Sequence, residues 1–217
     1  MQEQELRSMA SQLSCPKGDA GVDFGNKMNE LNQFITAKAI EKLSAKKSES
    51  IVEIGPGNGS LSVSMLDALG VDGHYLGIEL SETMAAELHR TLAGKPCRVG
   101  VVCDDCLGVK LESGSVDGIM GVNVLYFIED PVKFFMHIID WMKPDGRAVF
   151  AVRSDKALKG LPFTQYGFKV RSTDEIELHM NRAGFTSIES MIFEEGVAPF
   201  GDTMIAVDSV ILVAKKS

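Results

Sequence analysis

The sequence predicts an α/β fold in which helices cover both faces of a mostly parallel sheet. Short apolar runs alternate with stretches of helical periodicity between residues 50 and 152, a pattern typical of strands joined by right-handed crossover helices. The last two apolar runs, Thr186 to Phe193 and Ala206 to Ala214, have no helix between them. They should therefore pair antiparallel at the end of the sheet. The length of 217 residues suits one such domain with a sizeable core.

The chain before the first strand is predicted to contain an irregular segment followed by one helix. Residues 1 to about 25 are not assigned to an element, and Cys15 to Gly21 is rich in turn-forming residues and is expected to be irregular. A helix fits residues 26–46, because apolar residues three or four positions apart make one stripe. This stripe consists of Met28, Leu31, Ile35, Ala39 and Leu43.

Five strands then follow in order, each recognised as a short apolar run bounded by turn-forming or polar residues. They are predicted at residues 50–54, 74–79, 98–103, 116–122 and 147–152. A helix is predicted over about residues 59–70, and the turn Pro144 to Gly146 precedes the fifth strand. Ser81 is the predicted N-cap of the next helix, whose apolar face contains Met84, Leu88 and Leu92.

Two further helices have clear start signals. Asp130 is a predicted N-cap with Pro131 at the first helical position, and Phe134, Phe135 and Trp141 lie on the face expected to enter the core. The stretch Ser172 to Glu175 is a capping box, and its helix should end at Gly184.

Charge and composition narrow the classes of partner. The net charge of -8 argues against a nucleic-acid partner, because phosphate binding requires a basic surface. No apolar run approaches the roughly 20 residues of a membrane helix, and the N-terminus has no apolar signal stretch, so we expect a cytoplasmic protein without a membrane span. The four cysteines fit neither a disulfide framework nor a metal site, so free thiols and no metal are predicted; they are Cys15, Cys97, Cys103 and Cys106.

A glycine-rich turn marks the candidate ligand site. Gly55, Gly57 and Gly59 directly follow the first strand, and residues without Cβ allow a ligand to approach the backbone. Glu79 ends the second strand, where a carboxylate can accept hydrogen bonds from a ribose. Together, the glycine-rich turn and Glu79 predict a cofactor that contains a nucleoside.

The spacing of these glycines does not suit a dinucleotide. Ser60 stands where the dinucleotide pattern requires its third glycine. Glu53, just before the loop, would repel a pyrophosphate but would suit a cationic ligand. An oxidoreductase that uses NAD is therefore the less favoured alternative.

Several segments in a consistent order make the chain resemble the class I S-adenosylmethionine-dependent methyltransferases. The family's first motif is similar to Glu53-Ile54-Gly55-Pro56-Gly57-Asn58-Gly59, and its later motifs resemble residues 102–106 with 115–117, 121–126, 142–147 and 183–185. The resemblance implies a Rossmann-like three-layer αβα sandwich whose seven strands have the order 3-2-1-4-5-7-6. It also implies S-adenosyl-L-methionine as cofactor and S-adenosyl-L-homocysteine as product.

The resemblance further implies the residues of the cofactor site. They are Glu53, Gly55, Pro56, Gly57, Gly59, Glu79, Leu80, Asp105, Cys106 and Asn123. Glu79 would bind the ribose hydroxyls, Asp105 the adenine amino group with Asp104 as the close alternative, and residues 121–126 would line the methionine end. No catalytic residue is implied, because the sulfonium already activates the methyl group and positioning supplies much of the rate.

Acceptor recognition is expected outside the core. Residues 1–47 would be an N-terminal helical segment covering the cofactor site, and residues 48–217 the methyltransferase domain with a lid insert near 154–171. The candidate substrate residues are Met28, Asn29, Tyr126, Gln165 and Tyr166. The acidic charge and short chain favour a small-molecule acceptor, whereas a protein methyltransferase and a non-catalytic cofactor-binding regulator remain alternatives. A monomer or homodimer is expected.

Overall fold

The computed structural model describes residues 2–200 and 203–216, which build one seven-stranded sheet with helices on both faces. The strands are β1 (Ser50–Ile54), β2 (His74–Glu79), β3 (Arg98–Cys103), β4 (Val116–Val122), β5 (Met142–Val152), β6 (Phe185–Phe200) and β7 (Thr203–Lys216). The helices are α1 (Glu3–Ser14), α2 (Gly18–Leu43), α3 (Val63–Leu69), α4 (Glu82–Thr91), α5 (Pro131–Trp141), α6 (Asp155–Lys159) and α7 (Thr173–Arg182). None of the helices in these ranges is long and apolar enough to cross a membrane.

The strand order confirms the predicted topology. It is β3-β2-β1-β4-β5-β7-β6, with β7 antiparallel to both of its neighbours and the other neighbouring pairs parallel. The order reverses between β1 and β4, which lie side by side with Ile54 opposite Gly121. Open α/β sheets bind their ligands at the carboxyl ends of the strands where the order reverses. We call this edge between β1 and β4 the crevice.

Two apolar clusters hold the helices on the two faces of the sheet. Neighbouring residues of one strand point to opposite faces, so Val149 joins one cluster and Phe150 the other. The first cluster packs α5 and α7 on the sheet around Phe134, Phe135 and Phe150. The second packs α2, α3 and α4, and includes the predicted apolar residue Leu88 of α4.

The predicted helix starts at Ser81, Asp130 and Ser172 are confirmed. Each of these side chains accepts a hydrogen bond from a backbone N–H of the first turn that follows. At Ser172 the capping box is complete, because Glu175 also accepts from the Ser172 backbone N–H.

The N-terminus, unassigned from the sequence apart from the turn-rich stretch Cys15 to Gly21, is mostly helical. Helix α1 covers Glu3–Ser14, and α2 begins at Gly18 rather than near residue 26. Leu6, Met9, Ala10 and Leu13 of α1 recur at intervals of three and four residues, so the sequence does carry an apolar stripe, of which Ala10 alone is fully buried. The glycines of early α2 reduce its helix propensity but permit close packing: a Cβ on Gly21 would lie 2.9 Å from the carbonyl carbon of Pro16.

Several predicted boundaries also shift. Helix α3 begins at Val63 instead of residue 59, because turns occupy the preceding residues. Strand β5 begins at Met142, so the predicted turn Pro144 to Gly146 is an irregularity within its pairing to β4. Leu31 is 54% exposed and does not belong to the buried stripe of α2. The C-terminal strands β6 and β7 extend well beyond their predicted ends and form one long hairpin.

Candidate active site

The glycine loop after β1 has one open position. Gly55, Gly57 and Gly59 all have left-handed backbone, with φ of +66°, +60° and +75°. A Cβ on Gly55 would lie 2.5 Å from Val124 Cγ1, and a Cβ on Gly59 would collide with Leu88. A Cβ on Gly57 would meet nothing within 4 Å. Packing thus explains two of the glycines, and only Gly57 faces open space.

Glu79 holds the glycine loop against the tip of β2. Its side chain is buried, with Oε2 accepting from Gly57 N–H at 2.9 Å and Oε1 from Ser81 N–H at 2.9 Å. Burial raises the pKa of this carboxyl above its ordinary value, although the backbone hydrogen bonds act in the opposite direction. Since each carboxylate oxygen has two acceptor positions, Glu79 can still accept from a ligand.

Glu53 is buried within the protein rather than exposed at the loop. It is 3% exposed, and Tyr75 donates its hydroxyl hydrogen to Glu53 Oε2 at 2.7 Å. Burial is the largest cause that raises the pKa of Glu53, while hydrogen bonds from Tyr75 and Ser62 lower it. The described partners of Glu53 are therefore neighbouring side chains, so its predicted contact with the cofactor would require a change of partners.

Glu53→Gln should flatten the pH dependence of stability. A carboxyl with a raised pKa binds its proton more tightly in the folded than in the unfolded chain. Its contribution to stability therefore decreases as pH rises from the ordinary carboxyl pKa through the raised one. Thermal melts from about pH 4 to about pH 8 should show a smaller decline for the variant. Glu112→Gln, at an exposed carboxyl, is the matched control; an unchanged slope for Glu53→Gln would contradict the expectation.

The acidic residues after β3 lie at the same carboxyl edge of the sheet. Asp104 and Asp105 are exposed; Asp105 accepts from Leu107 N–H at 2.8 Å, and Asp104 accepts from Asp105 N–H at 2.7 Å. Cys106 beside them is buried, which raises the pKa of its thiol to about 12. All four cysteines are unpaired with one another. The assignment of adenine to Asp105 rather than Asp104 stays a prediction.

Residues after β4 and β5 meet at the other side of the crevice. Asn123 has left-handed backbone, with φ of +57°, and accepts from the Tyr126 hydroxyl at 2.8 Å. Tyr126 is buried, its hydroxyl also accepts from Arg153 N–H, and burial raises its pKa. Arg171 holds the same segment by donating to the carbonyl oxygens of Leu125 and Ile128 at 3.0 and 2.8 Å.

The N-terminal helices contact the residues that follow β2, and α1 also contacts the segment that follows β5. The Ser81 hydroxyl donates to the Pro16 carbonyl, and Gly18 N–H donates to Thr83 Oγ1 at 3.1 Å. Helix α1 packs on the short 3-10 helix Pro162–Gln165, and the Arg7 guanidinium lies 4.3 Å from the centre of the Tyr166 ring.

The residues predicted to contact the acceptor differ in their exposure. Met28, Asn29 and Tyr166 are half-buried, and Gln165 and the cofactor candidate Leu80 are exposed. Pro56 is half-buried in the loop, where its ring approaches Gly77. Their contacts with a ligand stay predictions.

Sequence reasoning missed the polar contacts of α2 with the crevice. Asn58 of the glycine loop is 6% exposed; its Oδ1 accepts from Asn29 Nδ2 at 3.0 Å, and its Nδ2 donates to Asn26 Oδ1 at 3.1 Å. Asn123 Nδ2 donates to Asn32 Oδ1 at 3.1 Å. Three asparagines at intervals of three on a predicted helix were the available signal, because such residues share one face.

Comparison with known proteins agrees with this geometry. Residues 51–146 match the family model of the methyltransferase domain. Phosphoethanolamine N-methyltransferase 1 of Arabidopsis thaliana is 25% identical over 159 residues, which cover 70% of this chain and 32% of that protein. Ribosomal RNA small subunit methyltransferase A of Cutibacterium acnes is 26% identical over 136 residues, 60% of this chain and 43% of that protein. The match therefore covers less than half of the length of each of these two relatives.

A solved structure supports the fold over nearly the whole chain. A SAM-dependent methyltransferase from Aquifex aeolicus superposes with a TM-score of 0.69 and 16% identity, covering 90% of this chain and 98% of the other. Residues 51–146 thus match a methyltransferase domain, and the order of the seven strands matches the Rossmann-like methyltransferase fold.

Proposed function

We propose that the crevice binds S-adenosylmethionine and that the protein transfers its methyl group to a small-molecule acceptor. The observation that carries the proposal is the pair formed by Gly57 and Glu79. Gly57 leaves open space at a left-handed backbone position, and Glu79 offers free acceptor positions directly beside it. A ribose with two vicinal hydroxyls suits this pair, since both hydroxyls can donate to one carboxylate.

The other cofactor contacts follow from position along the carboxyl edge. Asp105 or Asp104 at the end of β3 would accept from the adenine amino group, and Leu80 and Cys106 would flank the ring. Asn123 after β4 would face the methionine end together with the loop residues Gly55, Pro56 and Gly59. When bound, the sulfonium supplies an electrophilic methyl group. The chain's own task is then to orient an acceptor toward that methyl and to exclude water.

The acceptor is proposed to bind on the side of the crevice that faces the N-terminal helices and the insert. Residues 1–47 would cover the cofactor, residues 48–217 would form the catalytic domain, and the insert near 154–171 would act as a lid. The contact of Arg7 with Tyr166 joins α1 to the insert, so both segments belong to the proposed cover. We propose that Met28, Asn29, Gln165 and Tyr166 contact the acceptor. Tyr126 would instead orient Asn123, because its hydroxyl already bonds that side chain.

A small molecule is favoured as the acceptor by charge and by one relative. The net charge of -8 opposes binding of an RNA backbone, although a similar protein is named a ribosomal RNA methyltransferase. Another similar protein is named a phosphoethanolamine N-methyltransferase, which suggests amines of small size as the first compounds to test.

Calorimetry tests the cofactor directly. Titration with S-adenosylmethionine and S-adenosylhomocysteine should give one site per chain with micromolar affinity, on the order of 8 kcal/mol of binding free energy. NAD is the matched control and should give no heat of binding. Binding of NAD without a response to the other two ligands would overturn the proposal.

An acceptor screen with a labelled methyl donor tests the reaction. Small amines and other small nucleophiles, a protein extract and total RNA should be compared under the same conditions. Label in the small-molecule fraction alone supports the proposal, whereas label in protein or RNA moves the assignment to those acceptors. Tight cofactor binding with no labelled product in any fraction would favour the regulator.

A further inference from the structure

We infer that α2 is a positioning element that couples the two sides of the crevice through a ladder of asparagine side chains. The ladder consists of Asn26, Asn29 and Asn32 on α2, with Asn58 and Asn123 as their partners. The inference rests on the proposed function, since the coupled sides are those that would hold the cofactor. It assigns Asn58 and Asn32 as positioning residues.

The first rung of the ladder, formed by Asn58 with Asn26 and Asn29, holds the glycine loop against α2. Asn58 uses both ends of its amide on α2, accepting from Asn29 and donating to Asn26. Its Oδ1 also accepts from Ser60 N–H at 3.1 Å, so the same side chain shapes the turn after Gly57. Because Asn58 is buried, loss of the α2 partners would leave its Nδ2 without its described acceptor and its Oδ1 with Ser60 N–H alone, so the present loop conformation would be disfavoured.

The second rung, formed by Asn123 with Asn32, holds the segment after β4 against α2. Asn123 donates to Asn32 and accepts from Tyr126, so its amide also has both ends occupied. Its left-handed backbone is a conformation that asparagine tolerates better than most residues, and it aims the side chain at α2. A third contact extends the ladder to β5, where Arg153 donates to the Leu31 carbonyl at 3.0 Å.

The helix makes these rungs dependent on one another. Residues at intervals of three lie on one face, so Asn26, Asn29 and Asn32 face the crevice along a rigid rod. The glycine loop follows β1 and Asn123 follows its neighbour β4. Besides the backbone pairing of these strands, the described side-chain connection between Asn58 and Asn123 runs through α2. Release of one rung should let α2 shift and weaken the other.

The inference is tested by a double-mutant cycle on the two rungs. Asn58→Ala and Asn32→Ala should each weaken S-adenosylhomocysteine binding about tenfold, and the double variant should also lose about tenfold rather than a hundredfold. A hundredfold loss would mean independent contacts and would overturn the inference, as would unchanged binding in Asn32→Ala. Gln33→Ala, an exposed amide on the same helix, is the control and should bind like the parent.

A rescue variant separates positioning from general destabilisation. Asn32 acts as an acceptor toward Asn123, so Asn32→Asp keeps the acceptor oxygen and should restore affinity to within about twofold of the parent. Failure of this rescue while Asn32→Ala remains folded would contradict the assigned role of Asn32.

A measurement without ligand distinguishes failure of the ladder from failure of the proposed function. In Asn32→Ala, amide hydrogen exchange at Asn58 to Ser60 should accelerate about tenfold, although the described hydrogen bond of the Asn32 side chain is to Asn123. If the parent binds neither methyl donor nor product, the proposed function fails but accelerated exchange still supports the ladder. Unchanged exchange overturns the ladder even if the cofactor binds.

Discussion

Gly57→Ala is expected to abolish cofactor binding without unfolding the protein. The new methyl group would meet no protein atom within 4 Å, so the variant carries only the cost of a left-handed alanine, roughly 1–2 kcal/mol. That methyl would occupy the open space beside Glu79 that the proposal gives to the cofactor. We expect at least a hundredfold loss of affinity for S-adenosylhomocysteine, on the order of 2.8 kcal/mol, measured by calorimetry.

Gly59→Ala is the matched comparison, because it should damage the fold instead. Its Cβ would collide with Leu88 and approach Leu92 at 3.4 Å, within the core under α4. Overpacking of about 1–3 kcal/mol adds to the left-handed cost, so the melting temperature should fall clearly below that of Gly57→Ala. If Gly57→Ala binds the cofactor like the parent, the ligand does not approach the loop at this position and the proposed site is wrong.

Glu79→Ala should remove most of the affinity for the cofactor. The substitution deletes the acceptor of the ribose hydroxyls and leaves the N–H groups of Gly57 and Ser81 without their partner. Charge-assisted hydrogen bonds contribute about 1.5–3 kcal/mol each, so a loss between about tenfold and a thousandfold is expected. Glu79→Gln should lie between the parent and Glu79→Ala, because one oxygen remains and the other is replaced by a donor that faces an N–H.

The raised pKa of Glu79 gives this interaction a pH dependence. The ionised carboxylate is the form that can accept from both hydroxyls, so affinity should be full above the raised pKa and fall as pH drops through it. The fall should begin at higher pH than the ordinary carboxyl value of 4.5. Titrations from about pH 8 to about pH 5 should show it in the parent and not in Glu79→Gln. The exposed Glu82→Gln is a nearby control, and a parallel decline in Glu79→Gln would assign the effect to another group.

The sheet and the candidate loop could be predicted because their signals are local. Gly55 to Gly59 follows an apolar run directly, and Glu79 ends the next one, so period and spacing were enough to place both. The helix starts at Ser81 and Asp130 were equally readable, since a cap acts on the residues that follow it.

The features that could not be predicted from the sequence depend on contacts between segments that are distant in the chain. Helix α1 packs on the 3-10 helix Pro162–Gln165 and buries only Ala10, so its apolar stripe from Leu6 to Leu13 covers another surface segment rather than the sheet. Asn58 looked like a loop residue, yet its role follows from two side chains about thirty positions earlier on α2. The buried Glu53 was expected to face a ligand, but its position toward Tyr75 depends on the packing of β1 against β2.

The long hairpin of β6 and β7 bears on how copies of this protein meet. Strand β6 is one of the two edge strands of the sheet, with β3 at the opposite edge, and an edge strand offers unpaired backbone groups to any neighbouring chain. Its pairing with β7 is interrupted twice, near Ser187 and near Gly196, where φ is +49° and +93°. Exposed carboxylates at Glu189 and Glu194 add like charges along the same strand. These bends and charges oppose continuation of the sheet into a second molecule, so self-association should use another surface.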